Sequence, residues 1–452
     1  MAAEPSVCQL EQSFDSGAKS ERGEHVITAV EFDPTGSLLA MGDKGGRIVL
    51  LKRDEEVSAP RYAAYAAFKS HDSEFDYLKS LEIEEKINKI RFCKPVNSST
   101  FLLSTNDKTI KLWKVGPKAV ESVEPAAGRA RSGGAGGRRS AAELRLPTVV
   151  RRGSVVAATA RRVFTHAHAY HINSLSLNSD GETFISSDDL RVNLWSLERT
   201  ETAFNIVDLK PANMEDLTEV ITASTLHPLD CHGLAFSTSK GCVKLFDMRA
   251  GALCRTHAKL LHEAEPQHAA KSFFSEIVAS ISDVKFTPDG RFVVSRDYLA
   301  LKVWDVRQER RPLRVVAVHD HLRPRLCDLY ESDCIFDKFE CASSPTGDRC
   351  ATGSYSDTFH VFDEKGGRAH VQLDEAHPTD NARRSDDAAP QPPPPPPPAP
   401  PRAVDAGFDN MDLDFKRRVL HLAWHPKDDV LAVAGVDRLY VYSLPRLRTK
   451  AV

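Results

Sequence analysis

Several absences narrow the field before any motif is read. The nine cysteines are scattered and none forms a Cys-x-x-Cys pair, so neither a zinc ribbon nor a thioredoxin-type centre is indicated. An odd cysteine count without a leader suits a reducing compartment. Residues Met1 to Leu10 lack a basic stretch followed by an apolar run, and no apolar run nears the roughly 20 residues that span a bilayer. The expected location is the cytoplasm, with access to the nucleus and no membrane partner. Lysine and arginine total 60 against 63 acidic residues, a net charge of -3, so no overall basic field invites nucleic acid. A Gly-x-Ser-x-Gly elbow, a phosphate-binding Walker loop and a dinucleotide Gly-x-Gly-x-x-Gly turn are all missing. No catalytic residue, cofactor or metal is therefore assigned.

What is present is a repeat. The 452 residues are 41% hydrophobic and 27% charged, a globular composition with a large core. A polar turn followed by an alternating strand with an aromatic end recurs seven times. The copies are Gly42 to Leu51, Thr105 to Trp113, Ser187 to Trp195, Ser237 to Phe246, Ser295 to Trp304, Gly353 to Phe362 and Gly435 to Tyr442. The first ends in leucine and is the weakest. Upstream units such as those from Ile27, Ile281 and Leu420 read strand, turn, strand, with Pro-Thr-Gly and Pro-Asp-Gly at two of the turns. Alternation of period two marks half-buried strands. Together these are the blades of an all-β, seven-bladed WD-repeat β-propeller spanning residues 1–452. One blade cannot bury both faces, whereas a closed ring of them can. Val7 to Phe14 is the candidate outer strand of the last blade.

Three insertions depart from the repeat. Lys69 to Lys86 is charged and separates blades one and two. Residues 116–165 follow blade two. In them Gly128 to Ser140 is Gly/Arg-rich and expected to be disordered, and two strands (Glu143 to Arg151, Val155 to Phe164) around Arg152-Gly153-Ser154 predict a protruding β-hairpin. Residues 376–407 hold the unbroken proline run Pro392 to Pro398, an exposed polyproline II segment in a disordered insertion. It serves either an aromatic-grooved partner or as a spacer.

Longer stretches carry a resemblance. Ser73 to Ile90, Phe101 to Lys114, Phe204 to Thr222, Ser272 to Phe286 and Cys334 to Cys341 resemble the B-type, WD-repeat regulatory subunits of protein phosphatase 2A. The similarity runs from about Val26 to Tyr442 outside the insertions. It implies a non-catalytic subunit that joins a helical-repeat scaffold subunit and a separate catalytic subunit, and directs serine/threonine dephosphorylation toward chosen phosphoproteins. The resemblance assigns substrate contacts to Lys44, Asp189, Leu217, Tyr330, Asp333, Phe336 and Lys338, with the pair Phe273 and Phe274 at the same groove. It assigns scaffold contacts to the hairpin, here Leu144, Arg145, Pro147, Arg161, Arg162 and Phe164. The usual acidic residue is replaced by Gly23, next to Glu24, and the hairpin keeps only the Leu-Arg-x-Pro and Arg-Arg-x-Phe frame.

Other signals have competing explanations. Asp188, Asp189, Glu215, Asp216 and Glu219 would attract basic substrate segments if they share a face, or are simply solvated loop residues. Leu217, apolar within that run, is either a substrate anchor or inter-blade packing. Of Phe273 and Phe274, one ring is expected buried and one exposed. His166, His168 and His171 lack nearby cysteine or carboxylate ligands and read as strand and turn histidines, as do His319 and His321. Arg151-Arg152-Gly153-Ser154 fits kinases that favour upstream basic residues, with Ser154 as a candidate phosphosite on a basic hairpin tip. Trp304-Asp305-Val306-Arg307 fits the box of WD-repeat substrate receptors of cullin–RING ubiquitin ligases, the alternative function, although Asp after the aromatic is also ordinary in a WD repeat.

Overall fold

The alternating apolar runs form strands and the Gly-, Asp- and Asn-rich positions between them form tight turns. In a computed structural model, the structure describes residues 8–15, 25–57, 59–77, 80–95, 99–124, 148–251, 253–254, 256–263, 273–363, 368–373 and 413–445. Seven four-stranded antiparallel sheets result. Blade one is Ile27–Phe32, Leu38–Asp43, Arg47–Arg53 and Tyr62–Lys69. Blade two is Lys89–Phe92, Thr100–Thr105, Ile110–Glu124 and Thr148–Phe164. Blade three is Ser174–Leu177, Thr183–Ser187, Arg191–Ser196 and Ala203–Asp208. Blade four is Ile221–Leu226, Gly233–Thr238, Val243–Asp247 and Lys259–Leu261. Blade five is Ile281–Phe286, Phe292–Asp297, Ala300–Asp305 and Arg314–Ala317. Blade six is Cys341–Ser343, Arg349–Gly353, Thr358–Asp363 and Arg368–Gln372.

Blade seven is built from both ends of the chain. Leu422–Trp424, Val430–Ala434 and Arg438–Ser443 supply three strands, and Gln9–Asp15 pairs on the outside, from Gln9 opposite Ser443 to Asp15 opposite Arg438. The Gln12 side-chain amide bonds both backbone groups of Tyr62 at 2.9 Å, which ties this strand to blade one. First strands of neighbouring blades touch all the way round, blade seven against blade one included. Ile27 and Leu39 accordingly share one buried cluster with Ala423 and Val441. The ring thus covers the blade faces that an open stack would leave bare at its two ends.

The aromatic ends of the repeated strands face the inter-blade cores. Trp195, Trp304 and Tyr442 are essentially inaccessible, and so is Leu51 in the aromatic place of blade one. The indoles of Trp113, Trp195 and Trp304 donate to serines on the adjacent second strand, Ser104, Ser186 and Ser295, at 3.2, 2.8 and 2.9 Å. A buried N–H is satisfied in this way without disturbing the ladder.

Two turns carry an inter-blade clamp. His425 of blade seven lies 3.1 Å, Nε2 to oxygen, from the carbonyl of Gly36 in blade one, and His227 of blade four makes the same contact with Gly290 of blade five. Both glycines have positive φ, +80° and +70°. A Cβ on Gly36 would stand 1.9 Å from His425 Nε2. Gly36→Ala is therefore expected to cost about 1–3 kcal/mol, from left-handed strain and overpacking together, read as a lowered denaturant midpoint. An unchanged midpoint would remove the clamp as a stabilising contact.

The ribbon of blade two corrects one expectation. Its two strands are Ile110–Glu124 and Thr148–Phe164, 15 and 17 residues long, and Arg152-Gly153-Ser154 lies within the second strand rather than at a turn. Ser154 pairs with Ala119 and Gly153 with Val120, next to a register shift that skips Arg152. Up to Val115 the third strand also pairs with Thr100–Thr105. From Gly116 on it pairs with the fourth strand alone, so the last nine residues project as a two-stranded ribbon of about 30 Å. Long apolar-rich strands won over an Arg-Gly-Ser turn signal because every residue from 110 to 124 gains a cross-strand partner. Gly128 to Ser140, Leu144, Arg145, Pro147 and Pro392 to Pro398 lie outside the described residues.

Candidate functional site

Strand direction sorts the connections onto two faces. One face carries the passages from the fourth strand of a blade to the first of the next, together with the turns between second and third strands. The other carries the first–second turns and the third–fourth connections, including the ribbon. All nine candidate substrate residues fall on the first face. Lys44 and Asp189 occupy second–third turns of blades one and three. Leu217 lies in the passage from blade three to four, Phe273 and Phe274 in that from four to five. Tyr330, Asp333, Phe336 and Lys338 lie in the passage from five to six.

The last two passages fold into short helices whose aromatic residues meet. Phe273 and Phe274 open the helix Phe273–Ala279, and Tyr330 sits in the helix Leu326–Glu331. Ring centroids lie 5.3 Å apart for Phe273–Phe274, 5.7 Å for Phe273–Tyr330, 6.0 Å for Phe274–Tyr330 and 5.9 Å for Tyr330–Phe336. Phe273 is 68% exposed, Phe336 54% and Tyr330 41%. Phe274 packs instead against the buried group around Tyr298, Leu329 and Phe339, so one ring of the pair is sunk and one is displayed. Asp333 turns the chain between Tyr330 and Phe336 with a left-handed φ of 59°, stopping one helix and starting the next. The result is an apolar patch on a rigid base, the kind of surface that holds a partner side chain.

Asp189 marks the polar side. Burial pushes its carboxyl above the ordinary range, against the pull of Lys338 and with the repulsion of Asp188. Its backbone carbonyl accepts from Ile221 N at 2.7 Å, which fixes the turn to the passage that displays Leu217. Leu217 is half-buried and closes a one-turn helix, Met214–Asp216, whose start is capped by Asn213.

The other acidic residues do not form one field. Asp188 is fully buried, accepting from His168 Nδ1 at 3.0 Å and from the backbone N–H of Leu190 and Arg191 at 2.9 and 2.8 Å. His168 Nε2 lies 2.6 Å from Ser186 Oγ, the serine that takes the Trp195 indole. Glu219 is paired with Lys244. Only Asp189, Glu215 and Asp216 of the five remain for a ligand. The three histidines separate likewise: His168 joins the buried network, while His166 and His171 are exposed, His171 standing 3.7 Å from Asp107. His319 is buried against Tyr298 O and Ser354 Oγ at 2.8 and 2.9 Å.

A set of charges along the ring axis was missed by sequence reasoning. Lys89 pairs with Glu340 across the ring, Arg91 with Glu31, and Lys285 lies 3.4 Å from Asp283. Burial opposes charge on Glu340, yet Lys89 and His421 hold its carboxyl well below the usual range. At the face opposite the aromatic patch the axis opens into a cavity of about 360 Å³ lined by Glu31, Arg91, Lys285 and Trp424, among others from all seven blades. The signal was available: Val30-Glu31-Phe32, Ile90-Arg91-Phe92 and Val284-Lys285-Phe286 each place one charge between two apolar residues of a first strand.

At the root of the ribbon Phe164 is fully buried, its ring 5.0 and 5.4 Å from Phe184 and Trp195. It supports the blade and is withdrawn from the partner-contact set. Arg162 donates to Leu197 O at 2.5 Å and anchors the ribbon to blade three. Arg161 is exposed, as is Ser154, which stands mid-ribbon and not at its tip. In the Trp-Asp-x-Arg box, Asp305 Oδ1 accepts from Arg307 N at 2.9 Å and Trp304 fills a core, a structural explanation that leaves no need for a ligase partner.

Comparison with known proteins agrees with this architecture. The sequence model of the WD domain, G-beta repeat, matches residues 160–196, from the end of blade two through the first three strands of blade three, the stretch with the His168–Asp188–Ser186–Trp195 network. The serine/threonine-protein phosphatase 2A regulatory subunit phr2AB of Dictyostelium discoideum is 42% identical over 97% of this chain and 99% of its own length. The B regulatory subunit of protein phosphatase PP2A from Schizosaccharomyces pombe is 48% identical over 92% of this chain and 93% of its own. The beta isoform of the 55 kDa B regulatory subunit of serine/threonine protein phosphatase 2A from Arabidopsis thaliana is 47% identical, covering 92% of both chains.

Proposed function

The chain belongs to the B-type, 55 kDa regulatory subunits of protein phosphatase 2A, and on that premise we propose that it selects phosphoserine/threonine proteins for dephosphorylation by docking them on the face that carries Asp189, Leu217 and the aromatic patch. It is a regulator and not the catalyst; the metals and the bond cleavage belong to a separate catalytic subunit. The observation that carries the reading is the convergence of nine residues from five connections onto one face, which displays Phe273, Tyr330 and Phe336 and also carries Asp189. An amphipathic substrate segment would lay apolar side chains on the rings and basic ones toward Asp189. The ribbon, on the opposite face, is the proposed contact to the helical-repeat scaffold through Arg161 and its exposed valines Val120, Val149 and Val155. Docking on one face and assembly on the other do not compete.

The test is reconstitution with a scaffold–catalytic core and a phosphoprotein with basic flanks. The isolated chain is expected to be inactive, and the trimer faster on this substrate than the core alone. Asp189→Lys reverses the local charge and is expected to abolish that gain while the trimer still forms. A trimer with Asp189→Lys that keeps the full gain removes Asp189 from docking; failure of the wild-type chain to join the core removes the assembly. In the same assay Ser154→Asp reports on the proposed phosphosite. Negative charge beside Arg151 and Arg152 is expected to weaken capture of the core, and unchanged capture discards that role.

A further inference from the structure

The turn between the first two strands of blade four, His227 to His232, holds three consecutive residues with ligating side chains. Asp230, Cys231 and His232 place a carboxylate oxygen, a thiol sulfur and an imidazole nitrogen all within 4.8 Å of one another. We propose that this turn is a three-ligand site for a borderline divalent cation, zinc by the chemistry of its donors. It lies on the face of the ribbon, away from the docking face, and does not depend on the function proposed above.

The backbone that presents the donors is held from three blades. His227 Nδ1 takes the N–H of Leu229 and of Asp230 at 3.2 and 2.9 Å, while its Nε2 reaches Gly290 O of blade five at 3.1 Å. Asn178 of blade three donates to Cys231 O at 3.1 Å. His232 O accepts from Met248 N at 2.9 Å, and Gly233 N donates to Asp230 O at 3.3 Å. Each candidate ligand therefore sits on a fixed carbonyl, and the ion need not organise a floppy loop. Thiolate, imidazole and carboxylate together suit zinc better than the oxygen-seeking magnesium or calcium.

Charge balance is favourable. On binding, the Cys231 thiol gives its proton to solvent as the sulfur–metal bond forms, so thiolate and the Asp230 carboxylate together neutralise the ion. Arg249, whose charge is felt by Asp230 and Cys231, is engaged by both oxygens of Asp247, at 3.0 Å from Nε and 2.8 Å from a terminal nitrogen. Asp230 is exposed, and Cys231 and His232 are half-buried. The ion would be reachable, with a fourth position left for water or for an oxygen of whatever docks on this face.

Cobalt(II) titration of the reduced, chelator-stripped full chain tests the site. One cobalt per chain is expected, with an intense thiolate-to-cobalt band that zinc bleaches. Cys231→Ser is expected to lose the band, and Asp230→Asn, which keeps the oxygen that accepts from His232 N, to bind zinc more weakly. Cys242→Ser serves as the control, because Cys242 Sγ lies 3.2 Å from His262 Nδ1 in a separate thiol–imidazole pair; it should retain the band. Absence of the band in the wild type, its survival in Cys231→Ser or its loss in Cys242→Ser overturns the assignment. Unchanged zinc affinity in Asp230→Asn overturns the three-ligand set.

Discussion

Asp188→Ala is expected to destabilise the propeller by about 3–5 kcal/mol, while Asp189→Ala one residue on should change stability by about 1 kcal/mol or less. Asp188 sits beneath blade three with three donors on its carboxylate: His168 Nδ1 and the amides of Leu190 and Arg191. Burial works against its charge, but those donors hold the carboxyl below the ordinary range. Truncation strands all three in a space no water reaches, and it also releases the His168 ring that connects to Ser186 and the Trp195 indole. Asp189 is half-exposed and can exchange its partners for water. Denaturant midpoints of the two variants settle the contrast; equal midpoints would dissolve the distinction between a structural and a docking aspartate.

Acidification below about pH 6.5 is expected to weaken the fold steeply, before most carboxylates titrate. Burial keeps His319 and His360 neutral, with their pKa values pushed well below the histidine range, and Arg296 and Arg368 add to the depression. Burial and Lys111 lower His71 to about 3. At neutral pH both folded and unfolded chains hold these rings neutral, so they contribute nothing to the pH slope. Below about 6.5 the unfolded chain takes up protons that the folded one refuses, and stability falls by about 1.4 kcal/mol per pH unit for each ring. Three such rings make a slope of about 4 kcal/mol per unit near pH 5. Raised carboxyls such as Glu31 and Asp337 act in the opposite direction, as pH falls through their raised folded-state values. Denaturant midpoints between pH 7.5 and 5 should show the loss, and His360→Gln should remove about a third of the slope. A flat profile over that range would show that the rings protonate in the folded state.

The inner three strands of each blade were readable because burial imposes a strict pattern on them. Leu38–Asp43 and Val430–Ala434 are buried at every position, and tight turns with Pro and Gly punctuate them. Apart from those of blades two and seven, fourth strands escaped notice because they are half-solvated. Ala203–Asp208 and Arg314–Ala317 are mostly exposed or intermediate, so burial imposes no run of core positions on them. The ribbon shows the same limit. Its register was misread around Gly153 because an isolated glycine signals a turn and a register irregularity equally well.

Resemblance picked out the proposed docking residues and set Phe273 and Phe274 at their groove, but not which rings meet. Phe273 and Tyr330 are 57 positions apart in the chain, and their contact exists because two successive inter-blade passages leave the ring on the same side. Asp188 and Asp189 look alike in a string of letters; a turn that directs one inward to His168 and the other toward Lys338 gives them opposite roles. Lys89 and Glu340 meet only because seven first strands surround one axis. Repetition, alternation and turn chemistry are local, so residues spelled in order suffice for them and for the ring they build. Which side chains become neighbours across the ring, which charges are stripped of water and which stay wet depend on closure, and closure joins positions that no local pattern relates.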